Sequence, residues 1–203
     1  MWNKITMLKY LILNGVIFPF KIYIRSSIKI RNTSAIKMDG RVTIGNPDSK
    51  SAIISKAPAN IYFGYNSKIF IGKSISVGPG VNIIAKDNAT LSIGENTYFT
   101  SDSHIEAVNS ITIGSDCAIS WGVTIIDDNH HKVITKIQRE EIDTDLVIGN
   151  HVWIGCNVTI LKGTKIGNNC IVAAGSVVKG IFSDNTLIAG NPAKVVKEDV
   201  NWS

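Results

Sequence analysis

The chain has 203 residues, 44% apolar and 18% charged, with 17 Gly and 3 Cys. That composition excludes an extended disordered protein, and three cysteines without a CxxC pair make no disulfide framework. The 34 Ile and 16 Val against 7 Leu exclude a helical bundle, because β-branched side chains lose rotamer freedom in helices and suit pleated strands.

The formal net charge of +5 is not a nucleic-acid signal, because of where it sits. Residues 1–41 hold eight Lys/Arg against Asp39 alone, whereas the remaining residues carry 13 bases and 15 acids. No nucleic-acid partner is expected. Within this basic segment, Tyr10–Phe20 is an 11-residue charge-free run closed by Lys9 and Lys21. A membrane-spanning helix needs about 20 apolar residues, and no small-residue cleavage site follows the run. A cytoplasmic protein is therefore expected. Two readings of the segment stand: a helix packed on its own protein or a sister subunit, or a peripheral contact with the inner membrane surface.

From residue 71 onward a period of six takes over. Positions 71, 77, 83, then 93, 99, 105, then 113, 119, 125, and finally 148, 154, 160, 166, 172 and 178 are all Ile or Val except Phe99. Self-similarity at a fixed period is the mark of a solenoid. Each hexad predicts one short strand with its aliphatic inward and then a turn, and three hexads close one coil of a triangular prism. Each triplet opens on Ile-Gly, at 71–72, 93–94, 113–114, 148–149 and 166–167. In many hexads a small or β-branched side chain comes four residues after the aliphatic, which puts Cys117 and Cys170 inside as space-fillers. Residues 42–70 carry a degraded version. The predicted organisation is a segment 1–41 followed by a β-helix domain 42–203. All spacings within triplets are six. The departures, 84–92, 106–112 and 126–147, fall between triplets and are expected to stack along one edge. The last holds 17 more residues than a hexad step needs, and long loops on compact scaffolds are where function concentrates.

The wording Ile-Gly-x-x-Val-x, as in residues 154–159, resembles the hexapeptide repeat of bacterial acyltransferases. The resemblance implies an all-β, left-handed parallel β-helix with a C-terminal cap; periodicity alone does not give the hand. The stretch from Ile119 through Asp127-Asp128-Asn129-His130-His131 is similar to the active-site segment of the family's sugar O-acetyltransferases. It implies that His131 is the general base, with His130 beside it and Asp127 as the first acid, whereas Asn129 stands where the family carries a second acid. Histidine suits the task, because a sugar hydroxyl needs a base with a pKa near 6.5 to take its proton. Asp102, one coil earlier, matches a polar substrate-contacting position, and it joins Asn129 as a substrate-site candidate.

A second constellation resembles the family's coenzyme A groove: Trp153, Gly155 and Cys156, then Ala173 and Ala174, then Gly190-Asn191-Pro192-Ala193-Lys194. The small residues would let a pantetheine arm lie on the coil and meet its backbone amides. Lys179, Lys194 and Lys197 would meet phosphates as point charges. The implied co-substrate is acetyl-CoA, with no metal, and the implied assembly is a homotrimer acting on a carbohydrate acceptor. No GxSxG nucleophile motif is present, which favours direct transfer over an acyl-enzyme.

Three other readings remain. N-acetylation of an amino sugar nucleotide would use the same base and cofactor. A structural β-helix without catalysis would not bind acetyl-CoA. A metal-dependent carbonic anhydrase on this scaffold is disfavoured, since Thr135 and Lys136 stand where its second histidine would fall. The N-terminal stretch is similar to that of capsule and exopolysaccharide acetyltransferases, which implies a cell-surface polysaccharide or its precursor as acceptor.

Overall fold

The computed structural model describes residues 7–13, 16–22, 26–31, 35–45, 55, 57–131 and 144–203. Among them 24 strands and no helix occur, and no helix is long and apolar enough to cross a membrane. The strands lie in three sheets of ten, seven and seven, and the chain visits the sheets in rotation. The first face holds Val42–Ile44, Ile75–Val77, Tyr98–Phe99, Ala118–Ile119, Trp153–Ile154, Ile171–Val172 and Leu187–Gly190. The second holds Ser27–Ile30, Asn60–Phe63, Asn82–Ala85, His104–Ala107, Thr124–Ile126, Thr159–Ile160 and Val177–Val178. The third holds Ala35–Met38, Lys68–Ile71, Thr90–Ile93, Ser110–Ile113, Leu146–Ile148, Lys165–Ile166 and Ile181–Phe182. All neighbours within these stacks are parallel, which makes a three-sided β-helix.

Every inward position of the six-residue period is buried, at no more than 4% exposure. Parallel register stacks like on like: Ile83, Ile105, Ile125 and Ile160 form one inner column. Each such side chain contributes about 1.5–3 kcal/mol of burial. Cys117 and Cys170 are buried as expected. The Cys117 thiol donates to the Gly149 carbonyl at 3.2 Å, and burial pushes its pKa up to about 11, so it is inert. The Ile-Gly pairs mark the corner between the third and first faces. A Cβ on Gly114 would lie 2.4 Å from the Gly149 oxygen of the next coil, so only glycine permits this stacking. Two residues on, Asn96, Asp116, His151 and Asn169 take positive φ and donate their N–H groups to the preceding coil.

The three irregular stretches do leave at one corner, between the second and third faces. The first two, however, are not loops throughout. Their extra residues lengthen the flanking strands to four residues, as in Asn82–Ala85 and Thr90–Ile93, and 126–147 is the longest of the three stretches. Residues 132–143 of it lie outside the described residues.

The N-terminal segment departs from the helical reading. Met7–Leu13 and Val16–Ile22 are antiparallel strands, with Leu13 opposite Val16, and Phe20–Ile22 pairs in parallel with Val42–Ile44. That second pairing starts one residue after Pro19, which has no N–H to give. β-Branched and aromatic residues dominate the run, and a ladder satisfies its backbone where a lone short helix would not be stable. Further on, Ser27–Ile30 pairs with Asn60–Phe63 and Ala35–Met38 with Lys68–Ile71, so the sheets continue across residue 42. At the other end, Ala193–Lys197 folds back antiparallel on Leu187–Gly190, ending the first face.

Candidate active site

Two corners of the prism carry the residues singled out in the sequence. At the corner between the first and second faces, a groove of about 460 Å³ is lined by Ser120, Trp121, Trp153, Gly155, Cys156, Ile171, Val172, Ala173, Ala174 and Leu187. Five of the eight residues expected to hold the cofactor thus line one groove. Its wall is largely apolar, and Trp153 is 42% exposed there, with its indole N–H 3.4 Å from the Ser120 hydroxyl. Lys194 and Lys197 lie on the strand that pairs with Leu187–Gly190, at the groove's end. Lys179 follows Val177–Val178 and lies at the other corner.

The small residues here have a reason of their own. A Cβ on Gly155 would come within 2.7 Å of the Ala174 nitrogen, so coil stacking alone demands glycine. The expectation that the amides of this corner are free for a ligand needs correcting for two of them. Gly155 N–H donates to the Val172 carbonyl and Ala173 N–H to Ile188, both at 2.8 Å. They are spent on holding coils together.

Trp202 was not singled out in the sequence. Its ring stacks on His151 with centroids 4.4 Å apart and 11° between planes, and it tilts against Trp153 at 6.3 Å. Its indole N–H donates to the His151 carbonyl at 2.8 Å. His151 is thus a corner residue clasping the C-terminal tail beside the groove.

At the corner between the second and third faces, the long loop opens with the histidine tandem. His131 is exposed. His130 takes φ +57°, with its N–H donating to Asp128 Oδ1 at 2.5 Å. Its ring lies between two carboxylates: Nδ1 is 3.9 Å from Asp128 Oδ1 and Nε2 is 3.8 Å from Glu106 Oε1. Glu106 also meets Lys86 Nζ and His104 Nε2, each at 2.9 Å. Burial pushes its pKa up, but the bonds and charges of Lys86 and His104 outweigh that and hold it below the ordinary carboxylate value.

Asp127 does different work from that implied by its place in the motif. It is fully buried, and its two oxygens accept the N–H groups of Val108 at 2.7 Å and Asn109 at 2.9 Å. Burial, only partly offset by these amides, raises its pKa. It ties the root of the loop to the preceding coil. Asn129 is exposed beside the tandem. Asp102 sits at the groove corner instead, with φ +50° and its Oδ1 accepting from Ser55 at 2.6 Å.

Residues 145–180 match the family described as bacterial transferase hexapeptide (six repeats), and 90–126 match the hexapeptide repeat of succinyl-transferase. The chain is 32% identical to the polysialic acid O-acetyltransferase of Neisseria meningitidis, over 88% of this chain and 86% of that one. The chain belongs to the hexapeptide-repeat acetyltransferases. It is also 36% identical to WbbJ of Escherichia coli K12, named for O-acetyl transfer in lipopolysaccharide biosynthesis, over 68% of this chain and 75% of that one. Among solved structures, the polysialic acid O-acetyltransferase OatWY superposes with a TM-score of 0.64 at 30% identity, covering 87% of both chains. Membership gives the prism its left-handed sense, and the chain is an acetyltransferase.

Glu106 and Lys86 are the members of the site that spacing arguments do not assign. Glu106 is visible only once His104 and Glu106 are seen to alternate outward on one strand, with Lys86 one coil away.

Proposed function

We propose that this hexapeptide-repeat acetyltransferase moves the acetyl group of acetyl-CoA to a sugar hydroxyl of a cell-surface polysaccharide or its precursor. The apolar groove takes the pantetheine arm, with Lys194 and Lys197 toward the phosphates. An imidazole of the tandem, His131 on the family motif, takes the hydroxyl proton as the oxygen attacks the thioester carbonyl. The acyl C–S bond breaks as the C–O bond forms, and the imidazolium returns its proton to the departing thiolate. General-base assistance of this kind is worth about 10²–10⁴ in rate. Kinship with enzymes named for polysaccharide O-acetylation supports a hydroxyl acceptor.

The observation that carries this reading is the separation of the two corners. The Ser120–Trp121 edge of the groove and the tandem flank the second face of the same coil, and a six-residue side spans at most roughly 20 Å at a strand rise of about 3.3 Å per residue. One chain does not bring its histidines to its own groove. A cyclic trimer does, since a heterologous interface that closes sets one corner of each prism against a different corner of its neighbour. The site is therefore built from two copies.

Thiol release from acetyl-CoA, followed over a panel of oligosaccharides and amino sugar nucleotides, tests the assignment. Acceptor-dependent turnover on a hydroxyl sugar is expected, falling about 10²–10⁴-fold in His131→Ala. An N-acetylated product, or full activity in that variant, would contradict it.

A further inference from the structure

We propose that the C-terminal tail is part of the cofactor site: Trp202 is a positioning residue that holds the Trp153 indole in place as a wall of the groove. This rests on the reading that the groove takes acetyl-CoA. The tail is tied down along one column of the prism. At the corner between the third and first faces, Asn185, Asn169 and His151 stack on successive coils, each with positive φ. Their side chains form a ladder: Asn169 Nδ2 donates to Asn185 Oδ1 at 3.0 Å, and His151 Nδ1 meets Asn169 Oδ1 at 3.2 Å. Beyond Ala193–Lys197 the chain runs down this column. Val200 N–H donates to the Asn185 carbonyl at 3.0 Å, and two residues later the Trp202 ring lies flat on the His151 imidazole with its N–H on the His151 carbonyl. Ala193–Lys197 already pairs with the last strand of the first face, so closing the prism does not require residues 198–203.

The ladder brings Trp202 to a second ring. Trp153, two residues after His151, stands outward and exposed on a strand of two residues, where the coil does not fix its rotamer. Two contacts restrict it. Its indole N–H is 3.4 Å from the Ser120 hydroxyl, longer than an ordinary N–H···O bond. Trp202 meets it with centroids 6.3 Å apart and 49° between planes, within the range of favourable tilted aromatic pairs. The aromatic contact is the firmer of the two. A ring held before the ligand arrives costs less to order on binding, so the tail contributes to affinity without touching the cofactor.

Calorimetric titration with coenzyme A needs no acceptor and reads the groove directly. Trp202→Ala should weaken binding about three- to tenfold, the scale of one lost aromatic pair. Trp202→Phe, which keeps a ring but lacks the N–H, should bind close to wild type. In a Trp153→Ala background Trp202→Ala should cost nothing further, because no ring is left to position. Fluorine NMR of protein labelled with 5-fluorotryptophan follows Trp153 without any ligand, its resonance being assigned through Trp153→Phe. Relaxation of that resonance should report a more mobile ring in Trp202→Ala, since exposed side chains change rotamer within nanoseconds. A tail with a merely structural role would lower the Tm of Trp202→Ala and leave coenzyme A affinity unchanged. That result, Trp202→Phe as weak as Trp202→Ala, multiplicative losses in the double variant, or a Trp153 ring no more mobile without Trp202 would each overturn the proposal. Failure of the wild-type protein to bind coenzyme A would instead overturn the reading of the groove, and the fluorine relaxation would still decide whether Trp202 holds Trp153.

Discussion

The groove corner and the histidine corner are built on opposite principles. At the groove, the hexad runs without interruption from Leu146–Ile148 to Val177–Val178, and the walls are small or apolar residues, with the Gly155 and Ala173 amides already joining coil to coil. At the histidine corner the repeat is broken, and Lys86, His104, Glu106, Asp128 and His130 gather around the break. On the proposed reading, binding surface comes from the repeat itself and chemistry from departures from it.

If that contrast holds, the two corners should fail in different ways. Filling the groove with Ala174→Trp, at an exposed position, should raise the KM for acetyl-CoA roughly tenfold or more, a loss of about 1.4 kcal/mol in binding, with the melting temperature unchanged. A normal KM would remove the groove from the site. Asp127→Ala should act on stability, because it leaves two amides without acceptors. About 1–3 kcal/mol is expected in urea unfolding, and a neutral result would mean the loop root is held otherwise.

The pH dependence of the two acids should differ in sign. Glu106, lowered in the folded state, adds stability above the ordinary carboxylate range that is lost as pH falls through its lowered pKa. Asp127, raised by burial, binds more protons folded than unfolded, so its share grows more favourable as pH falls through that raised value. The stability gap between wild type and Glu106→Gln should therefore close in acid, and a gap independent of pH would deny the pairing. The smallest effect concerns the thiols. Alkylation should reach the half-buried Cys156 and spare Cys117 and Cys170, and coenzyme A should slow it. Equal rates with and without coenzyme A would count against the groove.

The contrast also governs what the sequence discloses. All fifteen period-six positions are interior because a stack of parallel coils forces one side chain per strand inward, and such repetition is visible in a single chain. The first coils were harder to read. Ser27–Ile30, Ala35–Met38 and Val42–Ile44 keep the alternation Ile-Lys-Ile, Ile-Lys-Met and Val-Thr-Ile, a period of two, while the step from Ile30 to Met38 departs from six. The hairpin at 7–22 was hidden by its flanking lysines, which favour a helix or a lipid surface, although Asn14-Gly15 between the paired strands is a strong hairpin signal. At the site, the tandem stood out by residue type. What Asp127 faces did not, because a carboxylate in a motif can meet a ring or a backbone amide, and only the register of the next coil decides between them. Glu106 is legible only through that same register.

The account stands on the two corners meeting across copies, and subunit mixing tests this most directly. Co-expression of a variant carrying both His130→Ala and His131→Ala with the Ala174→Trp variant, assayed at acetyl-CoA far below the raised KM, would yield mixed trimers from one inactive and one strongly impaired parent. Random assembly would pair an intact tandem with an intact groove at about a quarter of the interfaces in a cyclic oligomer, so about a quarter of wild-type turnover should return. Mixed assemblies no more active than the mean of the two parents would place tandem and groove in the same chain and contradict the account.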